Sequence, residues 1–223
     1  RLFLEVCGGV QHAHQKGIIH RDLKPTNVLV TREGGKPTPK IIDFGIAKAT
    51  AQRAAEETLF TQVGMLVGTP EYMSPEQAGL SERDIDTRTD VYSLGVLLFE
   101  LLVGALPFDI QALRRAGYDE IRRCIRQDEP TRPSARLSTL SGDADELAAK
   151  RRTDARSLVR SLRGDLDWIT MRALEKTPDR RYTSPSELAA DVSRHMRHEP
   201  VTAGPPSAAY RVEKFVRRHT LGV

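Results

Sequence analysis

The stretch GIIHRDLKPTNVLV, residues 17–30, places His20, Arg21, Asp22, Lys24 and Asn27 within eight positions, between the β-type apolar runs Ile18-Ile19 and Val28-Leu29-Val30. So many polar side chains between short apolar segments are costly to bury, and they point to a loop held from both sides. Downstream, residues 31–40 are punctuated by Gly and Pro, and Ile41-Ile42 forms another apolar pair. This pattern predicts a β-hairpin whose returning strand ends at Asp43. Such a return carries Asp43 back beside Asp22 and Asn27.

The residue types in that neighbourhood suggest one chemistry. Asn27 and Asp43 offer hard oxygen ligands, which suit a Mg²⁺ ion that keeps several waters and bridges phosphates. Asp22 is a carboxylate able to accept a proton from an attacking hydroxyl. Lys24 is a point charge suited to a phosphoryl group in transfer. A base, two oxygen ligands and a cation are the working parts of phosphoryl transfer.

Elsewhere the pattern is mostly helical. Leu2, Phe3, Val6, Cys7, Val10 and Ala13 recur at helical spacing, which predicts a helix over residues 1–16 stopped by Gly17. His12 and His14 are expected to end that helix rather than to bind metal. Residues 46–75 are expected to be a long loop. Residues 90–103 form a helix apolar on nearly every face, as in the middle of a core. A charged amphipathic helix is predicted over 111–127, with Leu113, Tyr118, Ile121 and Ile125 inside. Residues 128–164 look like a polar loop with one exposed helix. Two short helices follow, at 165–174 and 184–196, the second with Ser184 as N-cap and Glu187 three residues on. Residues 198–207 look like a Pro-rich linker to a basic segment.

Bulk properties exclude several classes. The chain has 223 residues and a formal net charge of +4, too small an excess to imply a nucleic-acid partner. Cys7 and Cys124 form no metal-ligand spacing, and a reducing compartment follows as the default. The longest apolar stretch, 91–108, carries Ser93 and Glu100 and is broken by Gly and Pro, so it reads as core rather than as a membrane span. No signal peptide is recognisable. The first residue is not Met and a helix is already under way, which suggests a piece of a longer protein.

HRDLKPTN (20–27), DFG (43–45), GTPEYMSPE (68–76) and DVYSLG (90–95) occur in that order. Together they resemble the catalytic loop, metal loop, substrate-side loop and core helix of eukaryotic-type protein kinases. The resemblance implies an α+β, mostly helical fold: a kinase C-terminal lobe over residues 1–197, with catalytic loop 18–30 and activation segment 43–76. A Pro-rich, then basic tail over 198–223 completes the chain. It implies Asp22 as catalytic base, Lys24 as the γ-phosphate contact, Asn27 and Asp43 as Mg²⁺ ligands at the ATP phosphates, and Thr69 as a hydroxyl bonding Asp22 and Lys24. It gives structural roles to His20, Phe44 and Gly45, and to Asp90 holding the catalytic-loop backbone. It also implies a pair between Glu76 and Arg181, with Arg180 as the fallback. Lys24-Pro25-Thr26 resembles Ser/Thr rather than Tyr kinases. Arg21 before the base resembles kinases switched by activation-loop phosphorylation, with Thr58 and Thr61 as candidate acceptors.

The wording of QHAHQKGIIHRDLKPTNVLV, GTPEYMSPEQA and LDWITMRALEKTPDRRY resembles bacterial multidomain Ser/Thr kinases. That likeness implies a cytoplasmic lobe acting on protein Ser/Thr, a second kinase copy for autophosphorylation, no nucleic-acid partner, and membrane anchoring beyond residue 223. The chain holds no G-x-G-x-x-G, and Lys48 in GIAKAT follows the metal loop, so it is not the ATP-positioning lysine of the N-terminal lobe. That lobe is expected to lie outside these residues. ATP and Mg²⁺ are expected to need it, and residues 1–223 alone are expected to have negligible kinase activity. Two other readings exist. A pseudokinase-like scaffold has no need of intact Asp22, Lys24, Asn27 and Asp43, and a small-molecule phosphotransferase has no need of a peptide-receiving GTPEYMSPE loop.

Overall fold

The computed structural model describes residues 1–44, 70–79, 85–108, 117–140 and 143–220. Helix α1, Leu2–Gln15, buries Phe3, Val6, Cys7, Val10 and Ala13, the stripe its spacing predicts. Burial pushes the Cys7 thiol up to about 12, which makes it an inert core residue. Gly17, at φ +73°, turns the chain out of the helix, and the N–H of Ile18 returns to the Ala13 carbonyl at 3.0 Å. That bond ties Ile18 to the helix end. Ile18-Ile19 therefore forms no strand, contrary to the β-type reading.

Strands β1, Val28–Glu33, and β2, Lys36–Ile41, make an antiparallel hairpin with Val28 opposite Ile41 and Glu33 opposite Lys36. Gly34 and Gly35, at φ +57° and +80°, supply the two-residue turn whose twist matches the strands. The ladder ends at Ile41, two residues before the expected Asp43, because Ile42 leaves it: its N–H donates to the Asn27 carbonyl at 3.0 Å.

A short helix α2, Pro75–Ala78, is closed at its start by a capping box between Ser74 and Gln77. Helix α3, Arg88–Val103, buries an unbroken run from Thr89 to Phe99. It can do so because it is covered on two sides. Helix α4, Tyr118–Gln127, packs Ile121 and Ile125 with Ala78 of α2. Residues 109–116, including Leu113, lie outside the described residues. Helices α5 (Pro133–Thr139), α6 (Asp143–Lys150), α7 (Ala155–Leu162), α8 (Asp165–Ala173), α9 (Pro185–Met196) and α10 (Ala208–Thr220) complete the order.

One core cluster joins Val91, Leu94, Leu97 and Leu98 of α3 to α1, α8 and α9. The other joins Tyr92, Val96, Phe99 and Val103 to Leu137, Leu158 and Leu162 of α5 and α7. At the α3–α8 crossing, a Cβ on Gly95 would sit 2.8 Å from the Cβ of Ala173, so only glycine allows the two backbones to approach this closely. Among the described residues no helix is long and apolar enough to cross a membrane.

Two stretches differ from their sequence reading. Residues 128–164 hold three helices rather than a loop with one. Each is only seven or eight residues long, about two turns, too short for its apolar spacing to stand out in a polar stretch. Their side chains Leu137, Ala148, Leu158 and Leu162 join the core, and the start of α5 is seated by the Ser134 N–H and hydroxyl, which both donate to the buried Asp167 carboxylate, at 2.9 and 2.6 Å. The Pro-rich stretch and basic tail pack onto the lobe. Asp191 accepts from the N–H of Thr202 and of Ala203 at 2.8 and 2.9 Å, and Val201 joins the core. Ser184 caps α9 as predicted, accepting from Glu187 N–H at 3.3 Å.

Helix α10 docks through one buried carboxylate. Asp165 accepts from Tyr210 Oη at 2.8 Å, from His195 Nδ1 at 3.0 Å and from Lys214 Nζ. Burial raises the Asp165 pKa, but hydrogen bonds from His195, Lys214 and Tyr210 outweigh it and hold the carboxyl at about 2. A folded pKa below the ordinary 3.8 means that the docking energy is fully present above that value and is lost as the pH falls through about 2. Asp165→Asn is therefore expected to release α10 at neutral pH, seen as faster amide hydrogen exchange over residues 208–220 with α3 unchanged. Unchanged exchange in the tail would rule out this anchor.

Candidate active site

The catalytic loop runs from His20 through a 3₁₀ turn at Pro25–Asn27 into β1. Its backbone is fixed by Asp90, which is fully buried at the start of α3. One oxygen of Asp90 accepts from the His20 N–H and the other from the Arg21 N–H, both at 2.8 Å. His14 Nε2 donates to the same carboxylate at 2.7 Å. The Arg21 carbonyl, on the other side of the turn, accepts from Gln77 Nε2 at 2.6 Å. These contacts hold Arg21 at φ +63°, a left-handed conformation that costs a non-glycine residue about 1 kcal/mol or more.

That turn presents Asp22. Its N–H donates to His20 Nδ1 at 3.3 Å, and His20 Nε2 donates to the Ile42 carbonyl at 3.0 Å. His20 thus bridges the catalytic loop to the segment after β2, and Phe44 packs on its ring with centroids 4.7 Å apart. Ile42, bonded through both its N–H and its carbonyl, sets the position of Asp43. Asp43 takes φ +56°, the second left-handed residue at the site. The hairpin therefore returns Asp43 to the catalytic loop, as the sequence implies.

Around Asp22 the side chains converge. Lys24 Nζ lies 3.0 Å from Asp22 Oδ2. Asn27 Nδ2 donates to the Asp22 carbonyl at 2.8 Å and reaches Asp22 Oδ2 at 3.5 Å. The Asn27 amide nitrogen is engaged within the loop, which leaves its oxygen as the available ligand atom. With the Asp43 carboxylate this gives a carbonyl-type and a carboxylate oxygen, a set that suits a hard divalent cation. Among the described residues no group of three His, Cys, Asp or Glu could hold a metal. Such a cation would then rely on phosphate oxygens and water for its other positions.

The far end of the activation segment is tied down separately. Arg181 makes a two-pronged pair with Glu76, each N–O distance 2.7 Å, and both side chains are buried. Its other N–H groups donate to the carbonyls of Arg88, Glu175 and Lys176, so all five donors are used. Arg181, not Arg180, is therefore the partner. Burial raises the Glu76 pKa, but the hydrogen bonds and charge of Arg181 outweigh it and hold the carboxyl below its usual range. Thr89 Oγ1 adds a bond to Glu76 at 2.8 Å, and Ser93 Oγ holds the Tyr72 carbonyl at 2.8 Å. Gly45, Thr58, Thr61 and Thr69 lie outside the described residues.

Sequence reasoning missed His14, Gln77 and Thr89. His14 stands in a run of histidines at a helix end, and only the fold reveals that it faces Asp90. Gln77 gives a local signal as an N-cap partner, but its bond to Arg21 spans 56 positions.

Comparison with known proteins agrees with this geometry. Residues 1–192 match the family model described as protein kinase domain. Serine/threonine-protein kinase PknB of Mycobacterium tuberculosis is 35% identical over 199 residues, covering 89% of this chain and 26% of the relative. A probable serine/threonine-protein kinase, CE0033, of Corynebacterium efficiens is 34% identical over 191 residues, covering 86% of this chain and 24% of the relative. The chain spans about a quarter of the length of these curated relatives. Among solved structures, the PknI kinase domain of Mycobacterium tuberculosis aligns with TM-score 0.51 and 24% identity, over 87% of this chain and 53% of that one. This last likeness is one of fold.

The buried Asp90 carboxylate serves three donors, and truncating it leaves two backbone N–H groups and an imidazole N–H without an acceptor. Each buried unsatisfied group costs about 1–3 kcal/mol. Asp90→Ala is expected to lower unfolding stability by about 3–5 kcal/mol, measured by urea denaturation. A loss below about 1 kcal/mol would mean that water replaces the carboxylate.

Proposed function

The chain belongs to the protein kinase family, and on that footing we propose that it is the catalytic lobe of a serine/threonine protein kinase. It moves the γ-phosphate of ATP to Ser and Thr hydroxyls of protein substrates. The observation that carries this reading is the convergence of Lys24 and Asn27 on the Asp22 carboxylate, 3.0 and 3.5 Å from Oδ2, on a loop clamped by Asp90.

Asp22 accepts the proton of the attacking hydroxyl. Lys24, alongside it, orients Asp22 and meets the charge of the transferring group. Asn27 and Asp43 are the residues that would hold Mg²⁺. When bound, that ion supplies charge neutralisation at the phosphate oxygens. Thr69 is assigned to the substrate side of Asp22 from its place in GTPEYMSPE. ATP lies between two lobes in this family, so the lobe described here supplies one wall of the nucleotide site, and alone it is expected to bind and turn over MgATP poorly.

Arg21 supports a regulatory reading. Among the described residues its guanidinium has no ion-pair partner, and it adjoins the base. A phosphate on Thr58 or Thr61 would bring about −1.5 to −2 charges within the activation segment for Arg21 to pair with.

In the full-length protein, Asp22→Asn is expected to lower kcat about 10²–10⁴-fold with KM for ATP little changed. Radiolabel transfer to a Ser/Thr substrate reads this out, and near-wild-type turnover would remove Asp22 from the base role. Incubation of active full-length protein with MgATP is expected to phosphorylate Thr58 or Thr61. Peptide mass spectrometry that finds both unmodified would end the regulatory reading.

A further inference from the structure

Helices α5, α6 and α7 enclose a solvent-open cleft of about 470 Å³, separate from the catalytic loop. Its volume lies within the ~300–1,000 Å³ typical of small-molecule sites. Leu137, Leu140, Ala144 and Val159 give it an apolar lining, and Leu137 and Ala144 continue into the second core cluster. Arg156, Arg160 and Arg163 also line it.

Those three arginines recur at positions i, i+4 and i+7, which places them along one face of α7 and its C-terminal end. Their side chains are exposed, and among the described residues none of the three guanidinium groups makes a hydrogen bond or an ion pair. Like charges at this spacing repel one another. Asp145 lines the same cleft and offsets one of the three charges. A positive excess of two charges among the described lining residues therefore stands over an apolar floor. Guanidinium groups are weakly hydrated and their planar forks match phosphate and carboxylate oxygens.

We propose that the cleft between α5, α6 and α7 is a binding site for a small amphipathic anion, with an apolar body against Leu140 and Val159 and a phosphate or carboxylate head between Arg156, Arg160 and Arg163. The body buries the apolar floor, and the head neutralises charges that otherwise repel. Neither half explains the cleft alone: a bare anion leaves the floor wet, and a neutral apolar molecule leaves the arginines unpaired.

The test is isothermal titration calorimetry on the full-length protein at low ionic strength, with octyl phosphate and octanoate as probes and octanol and inorganic phosphate as controls. One of the two amphipathic anions is expected to bind with one-to-one stoichiometry, at least tenfold tighter than either control. Whichever of the two binds tighter identifies the head group. Arg156→Gln with Arg160→Gln is expected to weaken that binding at least tenfold while leaving the thermal midpoint and the unliganded kinase rate unchanged, since both side chains are exposed. Equal binding of inorganic phosphate, equal binding of octanol, or full affinity in the double variant would each overturn the proposal.

Discussion

A carboxylate with no access to water must find hydrogen-bond donors within the protein, because stripping its hydration costs several kcal/mol. Asp90 meets that demand with the N–H groups of His20 and Arg21 and with His14. The demand works in both directions. The backbone turn that offers two successive N–H groups to one carboxylate is a strained one, with Arg21 left-handed, and it persists because the buried charge requires those donors. Asp22 follows immediately and is aimed by the same turn. The position of the proposed base thus depends on an ion-solvation problem one helix away.

The same principle recurs wherever a segment joins the helical core. Glu76 ties the end of the activation segment to Arg181, Asp167 seats the start of α5, Asp191 gathers residues 202 and 203, and Asp165 docks α10. Apolar packing builds the bundle, α5 to α7 included, while buried carboxylates fix the points where loop and tail segments enter it. Glu76, Asp165 and Asp191 have pKa values below their ordinary range despite burial, which means that the donors around each more than repay its desolvation.

This division explains what the sequence could tell. Helix α1, helix α3 and the Ser184 cap were legible because apolar periodicity and local cap chemistry are encoded within a few residues. The Glu76–Arg181 pair, the Asp90 clamp and the grouping of Asp22 with Lys24 and Asn27 were legible through motif order. Helices α5 to α7 were not, because helices of two turns carry too few residues for apolar periodicity to stand out, and α10 was not, because its anchor is a polar bond to a residue far away in the chain, Tyr210 to Asp165, 45 positions apart. Ile18-Ile19 was misread as a strand for a related reason: a β-branched pair suggests extension, yet the end of α1 claims the Ile18 N–H. Periodicity reports which face is apolar and carries no information about which distant carboxylate will accept a given N–H.

The central helix also separates two kinds of surface. One face of α3 packs on α1, whose His14 reaches Asp90, so that side is committed to holding the catalytic loop. The other face, through Tyr92, Val96, Phe99 and Val103, meets α5 to α7. These short helices bury Leu137, Ala148, Leu158 and Leu162 against that face. Helices of only two turns can leave a cleft between their outer faces without weakening the core beneath, because α3 stays covered by Leu137, Leu158 and Leu162. The catalytic side has no such latitude: a comparable gap beside α1 would unseat His14, and with it one of the three donors that keep Asp90, and therefore Asp22, in place.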